Sequence, residues 1–138
     1  MTAGAPTLGS ILLGSTDPVR LRDWYTAAFA AGDDDGFTEV TPTLFACSFG
    51  DTSLLIDGRG DVADHSPDPG RVILNFHLDD IRAAEARLVA LGAVWVREPE
   101  PTRWGIIGTV LDLDGNYVQI VEPAPDSPTC LQPKEVDG

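Results

Sequence analysis

Residues 71–92 read RVILNFHLDDIRAAEARLVALG, and the fold follows from how this stretch divides. Val72–Leu78 reads as a strand. Asp79-Asp80 then offers a helix cap, and Ile81, Ala84, Leu88 and Leu91 recur at spacings of three and four, the period of a helix face turned toward a core. Gly92 closes the helix as a C-terminal glycine does. Beyond it lie extended stretches at Ala93–Arg97, Ile106–Leu111 and Tyr117–Val121, with Asp114-Gly115-Asn116 as the turn between the last two. The order is strand, helix, three strands.

Working outward toward the N-terminus, the same order recurs. Leu8–Gly14 reads as a short buried strand, Ser15-Thr16-Asp17 as a cap and Pro18 as a first helical residue. Leu21, Trp24, Tyr25 and Phe29 form the apolar stripe of a helix that ends before Gly32. Extended stretches follow at Phe37–Val40, Leu44–Phe49 and Ser53–Ile56, the last two joined at Gly50-Asp51. The caps Asp17 and Asp79 lie 62 residues apart and the turns Gly50 and Gly115 lie 65 apart, so the repeat is one of spacing as well as order. Gly58–Gly70, rich in Gly, Pro and Asp, reads as a linker, and residues 123–138 as an irregular tail. We therefore expect an α+β chain, 1–138, as a single domain of two paired βαβββ modules, about 8–57 and 71–122. Each module alone is too small for an independent core.

Composition narrows the function. The 138 residues carry 22 Asp+Glu against 9 Lys+Arg, a formal charge of −13, with 43% hydrophobic residues. Binding to phosphate backbones or anionic lipid draws its affinity from Lys and Arg, so neither nucleic acid nor a membrane surface is an expected partner. No run reaches the roughly 18–20 apolar residues of a membrane span, and the N-terminus lacks the basic start and apolar stretch of a signal peptide. The expected location is the cytoplasm. Cys47 sits in an apolar run and Cys130 in the Pro-rich tail, which reads as one packed and one exposed thiol rather than a disulfide framework. Phosphate-binding glycine loops, a GxSxG elbow and zinc-type cysteine spacings are all missing.

Asp17-Pro18 followed by Trp24-Tyr25, the two βαβββ units in order, and Leu111-Asp112-Leu113-Asp114-Gly115-Asn116-Tyr117 before the last strand together resemble the vicinal-oxygen-chelate superfamily. That group holds glyoxalase I, extradiol dioxygenases, fosfomycin-resistance enzymes and bleomycin-resistance proteins. The resemblance spans about residues 8–122. It implies curved sheets that enclose a cavity, completed in a homodimer. In the superfamily's metalloenzymes, His and Glu side chains on the strands hold a divalent ion. Aligned on the caps and the Asp-Gly turn, those positions fall at about Ser10, Leu54, Ile73 and Gln119, which supply neither imidazole nor carboxylate. No metal and no other cofactor is expected.

Setting Val110 opposite Gln119 across the last hairpin, strand alternation puts Trp104, Ile106, Gly108 and Val110 on the cavity side of one strand, with Tyr117, Gln119 and Val121 on the next. The 65-residue offset carries this to Thr43, Phe45, Cys47, Leu54 and Ile56 in the first module. Ser10, Leu12, Ile73, Asn75 and His77 share the lining. The candidate ligand-binding residues are thus Phe45, Cys47, Asn75, His77, Trp104, Ile106, Val110, Tyr117 and Gln119, with no catalytic residue assigned. Such a surface, apolar and aromatic with a few amide, hydroxyl and imidazole groups, suits a mostly hydrophobic organic molecule. Trp24 and Tyr25 belong to the helix core on this reading, and Asp112 and Asp114 to turn hydrogen bonding.

The first functional expectation is a metal-independent homodimer of the bleomycin-resistance type that sequesters an aromatic antibiotic or similar natural product without transforming it. The net charge favours a neutral or cationic ligand. The other reading is a lyase, isomerase or dioxygenase of the same superfamily, using either a metal or His77 as a general base.

Overall fold

A computed structural model describes residues 4–29 and 36–126. The expected end of the first helix before Gly32, the acidic residues 33–35, Cys130 and the tail from 127 onward lie outside the described residues. The chain forms two compact units, Met1–Asp64 and His65–Gly138, and the boundary falls inside the Gly58–Gly70 stretch.

In the first unit, β1 (Ser10–Ser15), α1 (Pro18–Phe29), β2 (Thr38–Thr41), β3 (Leu44–Phe49) and β4 (Thr52–Gly58) build a four-stranded sheet in the order β1-β4-β3-β2. β1 runs parallel to β4, and the other pairs are antiparallel. The Asp17 carboxylate accepts from Arg20 N at 3.2 Å, and the Ser15 hydroxyl accepts from Asp17 N at 3.0 Å, so the residues before Pro18 satisfy the start of α1. Leu21, Trp24, Tyr25 and Ala28 are the buried face of α1, while Phe29, expected in that stripe, is half-buried. The Trp24 and Tyr25 rings meet edge to face at 4.9 Å. Opposite them lie Phe45, Cys47, Leu54 and Ile56, all buried; each large apolar side chain so covered contributes about 1.5–3 kcal/mol.

The second unit repeats this plan. β5 (Leu74–His77), α2 (Ile81–Ala90), β6 (Val94–Thr102), β7 (Gly105–Leu111) and β8 (Tyr117–Pro123) give a sheet ordered β5-β8-β7-β6, with β5 parallel to β8. Two modules of the same topology, each with one helix on a mixed four-stranded sheet, make the chain α+β as expected. Asp80 caps α2, its Oδ1 accepting from Arg82 N at 3.1 Å and Ala83 N at 3.2 Å. At the other end, Leu91 is 39% exposed and not part of the stripe, because it is the C-cap that precedes Gly92 at φ +80°.

Two strands depart from expectation. β5 is shorter than Val72–Leu78. β6 runs beyond the expected Ala93–Arg97, through Pro99 and Pro101 to Thr102. An edge strand tolerates proline: Pro101 pairs in register with Ile106, and Pro99 falls in the second of two register shifts, which lie between Trp95 and Arg97 and between Arg97 and Glu100. Gly108 makes room for Pro99: a Cβ there would stand 2.9 Å from Pro99 Cγ and 3.0 Å from Pro99 N.

Among the described residues, no helix is long and apolar enough to cross a membrane. Cys47 is buried and not in a disulfide, and its thiol donates to Ser48 O at 3.8 Å.

Candidate functional site

In each sheet one face is covered by the module's helix, and the other bears the chemistry that remains. The faces follow from the register. In the second sheet, Val110 stands opposite Val118, Gly108 opposite Ile120 and Ile106 opposite Glu122. Glu122 Oε1 accepts from Ile81 N, at the start of α2, at 3.1 Å, and Val110, Val118 and Ile120 are fully buried with Ile81, Ala84 and Leu88 of α2. Ile106, Gly108 and Val110 therefore share the helix-side face. Gln119 stands opposite Thr109, not Val110, so the pairing assumed from sequence is one residue out.

The cause lies in the last turn. Asp112 is 4% exposed, and its Oδ1 accepts from Asp114 N at 2.9 Å and Asn116 N at 3.0 Å, while Oδ2 accepts from Asn116 Nδ2 at 2.9 Å. With Asp112 N donating to Asn116 O at 3.0 Å and Gly115 at φ +77°, residues 112–116 close as a five-residue loop, and Leu111 meets Tyr117. A loop one residue longer would put Val110 beside Gln119. Because side chains alternate with period two, that single residue exchanges the two faces.

On the helix-free face of the second sheet, residues directly opposite one another form rungs across the strands. Asn75, Gln119, Thr109 and Arg97 make one rung through all four strands. His77, Val121, Ile107 and Glu100 make the next, and Tyr117, Leu111 and Val94 flank the polar rung on its other side. Hydrogen-bonding groups thus sit in a row between apolar neighbours. Arg97 Nε donates to Glu100 Oε1 at 2.6 Å, which pairs the cation of the polar rung with the carboxylate of the next. Asn75 Nδ2 reaches Ile73 O at 3.5 Å, a weak contact. Among the described residues, the side chains of Thr109, Gln119 and His77 make no hydrogen bond.

The residues expected to bind ligand therefore divide. Asn75, His77, Tyr117 and Gln119 come together on this helix-free face. Ile106 and Val110 turn toward α2. Trp104 lies in the turn between β6 and β7, 37% exposed, with the Arg103 guanidinium 4.5 Å above its ring. In the first sheet, Phe45 opposes Ile56 and Cys47 opposes Leu54 on the α1 side, and Arg22 of α1 stacks over the Phe45 ring at 4.6 Å. Phe45 and Cys47 are core residues of their unit, so the first module's helix-free face is instead Ser10, Leu12 and Gly14 beside Ser53, Leu55 and Asp57. Thr109 and Arg97 are the residues the sequence reading passed over.

At the end of that first face, Arg59 crosses Gly14 and donates to Asp61 Oδ1 and Oδ2 at 2.8 and 2.7 Å, with Asp57 at 3.6 Å. The hydrogen bonds from Arg59 hold the Asp61 carboxyl below the usual aspartate range, and Asp61 in turn raises the Arg59 guanidinium.

Among the described residues, the divalent ion of the superfamily's metalloenzymes finds no matching donor set. On the helix-free faces the parallel strand pairs are Ser10 with Ser53, Leu12 with Leu55, Gly14 with Asp57, Asn75 with Gln119 and His77 with Val121. None sets an imidazole beside a carboxylate. His77 and Glu100 stand three strands apart on their rung, about 14 Å at the usual spacing between strands. Among the described residues, no group of three or more His, Cys, Asp and Glu is placed to hold a metal. These residues do not fit the ion.

The sequence matches the profile of the glyoxalase-like domain over residues 10–121. No curated protein matches the chain. Among solved structures, TnmS3, an antibiotic binding protein from Streptomyces sp. CB03234, superposes with a TM-score of 0.66 at 23% identity, over 89% of this chain and 100% of that one. TioX from Micromonospora sp. ML1 gives a TM-score of 0.65 at 19% identity, over 86% and 100%. A glyoxalase/bleomycin resistance protein/dioxygenase family enzyme from Burkholderia phytofirmans PsJN gives 0.66 at 16%, also over 86% and 100%. At these identities the likeness is one of fold.

Proposed function

The chain belongs to the glyoxalase-like domain family, within the vicinal-oxygen-chelate superfamily, and on that premise we propose that it binds an aromatic or hydrophobic natural product of the antibiotic kind and sequesters it unchanged. The observation that carries this reading is the helix-free face of the second sheet. There the Asn75-Gln119-Thr109-Arg97 rung crosses a floor of Ile107, Leu111, Val121 and the Tyr117 ring. An apolar surface with a few fixed polar groups binds and orients a hydrophobic molecule. TnmS3, an antibiotic binding protein of the same fold, supports the same direction. The net charge of −13 adds that the ligand approaches as a neutral or cationic species. Protection is then stoichiometric, through a lowered free concentration of the drug, and the reading includes a homodimer.

Calorimetric titration with candidate antibiotics, followed by mass spectrometry of the recovered compound, tests this proposal. The expected result is saturable binding and return of the unaltered compound. A chemically changed product would replace sequestration by the second reading, a metal-independent lyase or isomerase. That alternative draws on one observation: the His77 imidazole stands on the same face without a hydrogen-bond partner among the described residues. Sedimentation of the purified protein tests the dimer.

A further inference from the structure

We infer that Thr109 and Gln119 determine specificity on this face, and that the ligand they select is an uncharged apolar molecule carrying an oxygen acceptor, a carbonyl or ether, within its ring system; this rests on the binding role proposed above. Thr109 is 8% exposed, and no fully buried side-chain nitrogen or oxygen among the described residues lacks a hydrogen-bond partner. The Thr109 hydroxyl has no such partner, so it lies at the accessible surface of an otherwise covered residue, on the helix-free face. Beside it, one strand over, the Gln119 amide is also without a partner among the described residues. A hydroxyl and a carboxamide each hold a proton to donate at any pH between the extremes. An oxygen acceptor lying between the two strands, which are about 4.8 Å apart, is within reach of both.

The charge of the ligand follows from the remaining members of the two rungs. Glu100 is the one carboxylate on them, and Arg97 holds it at 2.6 Å, so a cation has no free counter-charge there. The same pair removes Arg97 as a free site for an anion, and the net charge of −13 disfavours an anion at longer range. An uncharged acceptor is what remains, which narrows the neutral-or-cationic expectation to its first half. The pairing of Thr109 with Gln119 is not legible until the register is known.

Fluorescence or calorimetric titration with four matched planar probes provides the test: fluorene, fluorenone, fluorenone carboxylate and the cation proflavine. Wild-type protein is expected to bind fluorenone at least about fivefold more tightly than fluorene, the factor one net hydrogen bond supplies. It is also expected to prefer fluorenone to both charged probes. Thr109→Val, which keeps the shape of the side chain, and Gln119→Leu should each bring the ratio of fluorenone to fluorene affinity most of the way to one, and Thr109→Ser, which retains the hydroxyl, should keep it near the wild-type value. Equal affinity for fluorene and fluorenone, or a preference unmoved by Thr109→Val, would overturn the inference and leave the binding role standing. Tighter binding of proflavine or of the carboxylate would overturn it too. If folded wild-type protein binds none of the four, the binding role itself falls, and the inference with it.

Discussion

Replacing Asp112 by alanine removes three hydrogen bonds at once, to Asp114 N, Asn116 N and Asn116 Nδ2, from a carboxylate that is 4% exposed. A hydrogen bond to a charged acceptor contributes about 1.5–3 kcal/mol, and a donor left unpaired in a covered place costs about 1–3 kcal/mol. Asn116 is only half-buried, so water recovers part of the loss, and the expected destabilisation is about 3–5 kcal/mol. For a domain whose whole stability is about 5–15 kcal/mol this is a large fraction. Asp112→Asn keeps Oδ1 for the two backbone donors but turns an amide toward Asn116 Nδ2, and should cost about 1–2 kcal/mol. Urea unfolding followed by circular dichroism gives the difference directly. With a slope of about 1–3 kcal/mol per molar, the alanine variant should lose at least about 1 M in midpoint and the asparagine variant less, at unchanged slope. The same loop sets which face Gln119 occupies, so in samples still folded the alanine variant should also lose ligand affinity. An alanine variant within about 0.5 kcal/mol of wild type would refute the claim that this carboxylate fixes the loop.

Other outcomes follow from the same physical terms. Gly108→Ala places a Cβ 2.9 Å from Pro99 Cγ and 3.0 Å from its nitrogen, and should cost about 1–3 kcal/mol, read as a fall of several degrees in melting temperature. Glu122→Ala leaves Ile81 N without its acceptor and removes a negative charge from the N-terminus of α2; a loss of about 1–2 kcal/mol in chemical denaturation is expected. The Asp61 carboxyl should titrate below an ordinary aspartate in carboxyl-carbon NMR and return toward it in Arg59→Gln. Since the folded value is the depressed one, whatever Asp61 adds to stability is present above its unfolded pKa and is lost as the pH falls through the folded value.

Nearly every element of the fold was legible in the sequence, because caps, glycine stops and apolar periods are local signals. Gly92 after α2, and Leu21, Trp24 and Tyr25 on α1, behave as their spacing predicts, while the cap of α2 is Asp80, one residue beyond the Asp79 from which the repeat is counted. The site was legible only in part, because facing is not local. It depends on how many residues the Asp112–Asn116 loop contains, which three hydrogen bonds to one carboxylate decide. An error of one residue moved Ile106 and Val110 onto the wrong face and hid Thr109, although a lone threonine in the run Ile106-Ile107-Gly108-Thr109-Val110-Leu111 was a visible signal. Across the repeat, Phe45 and Cys47 likewise pack against α1 and not on the helix-free face. Arg97 was hidden differently, since the register shifts around Pro99 break the alternation that would have marked it.

The central claim, that an organic ligand lies on the helix-free face of the second sheet, is tested most directly by two-dimensional NMR of the protein titrated with fluorenone. The account predicts that the Gln119 and Asn75 side-chain amides, the His77 ring and the Thr109 methyl shift together and saturate on one isotherm, while α2 resonances such as Ala84 and Leu88 stay in place. Shifts confined to α2 and to Ile106, Val110 and Val118, with Gln119 and Thr109 unmoved, would contradict it.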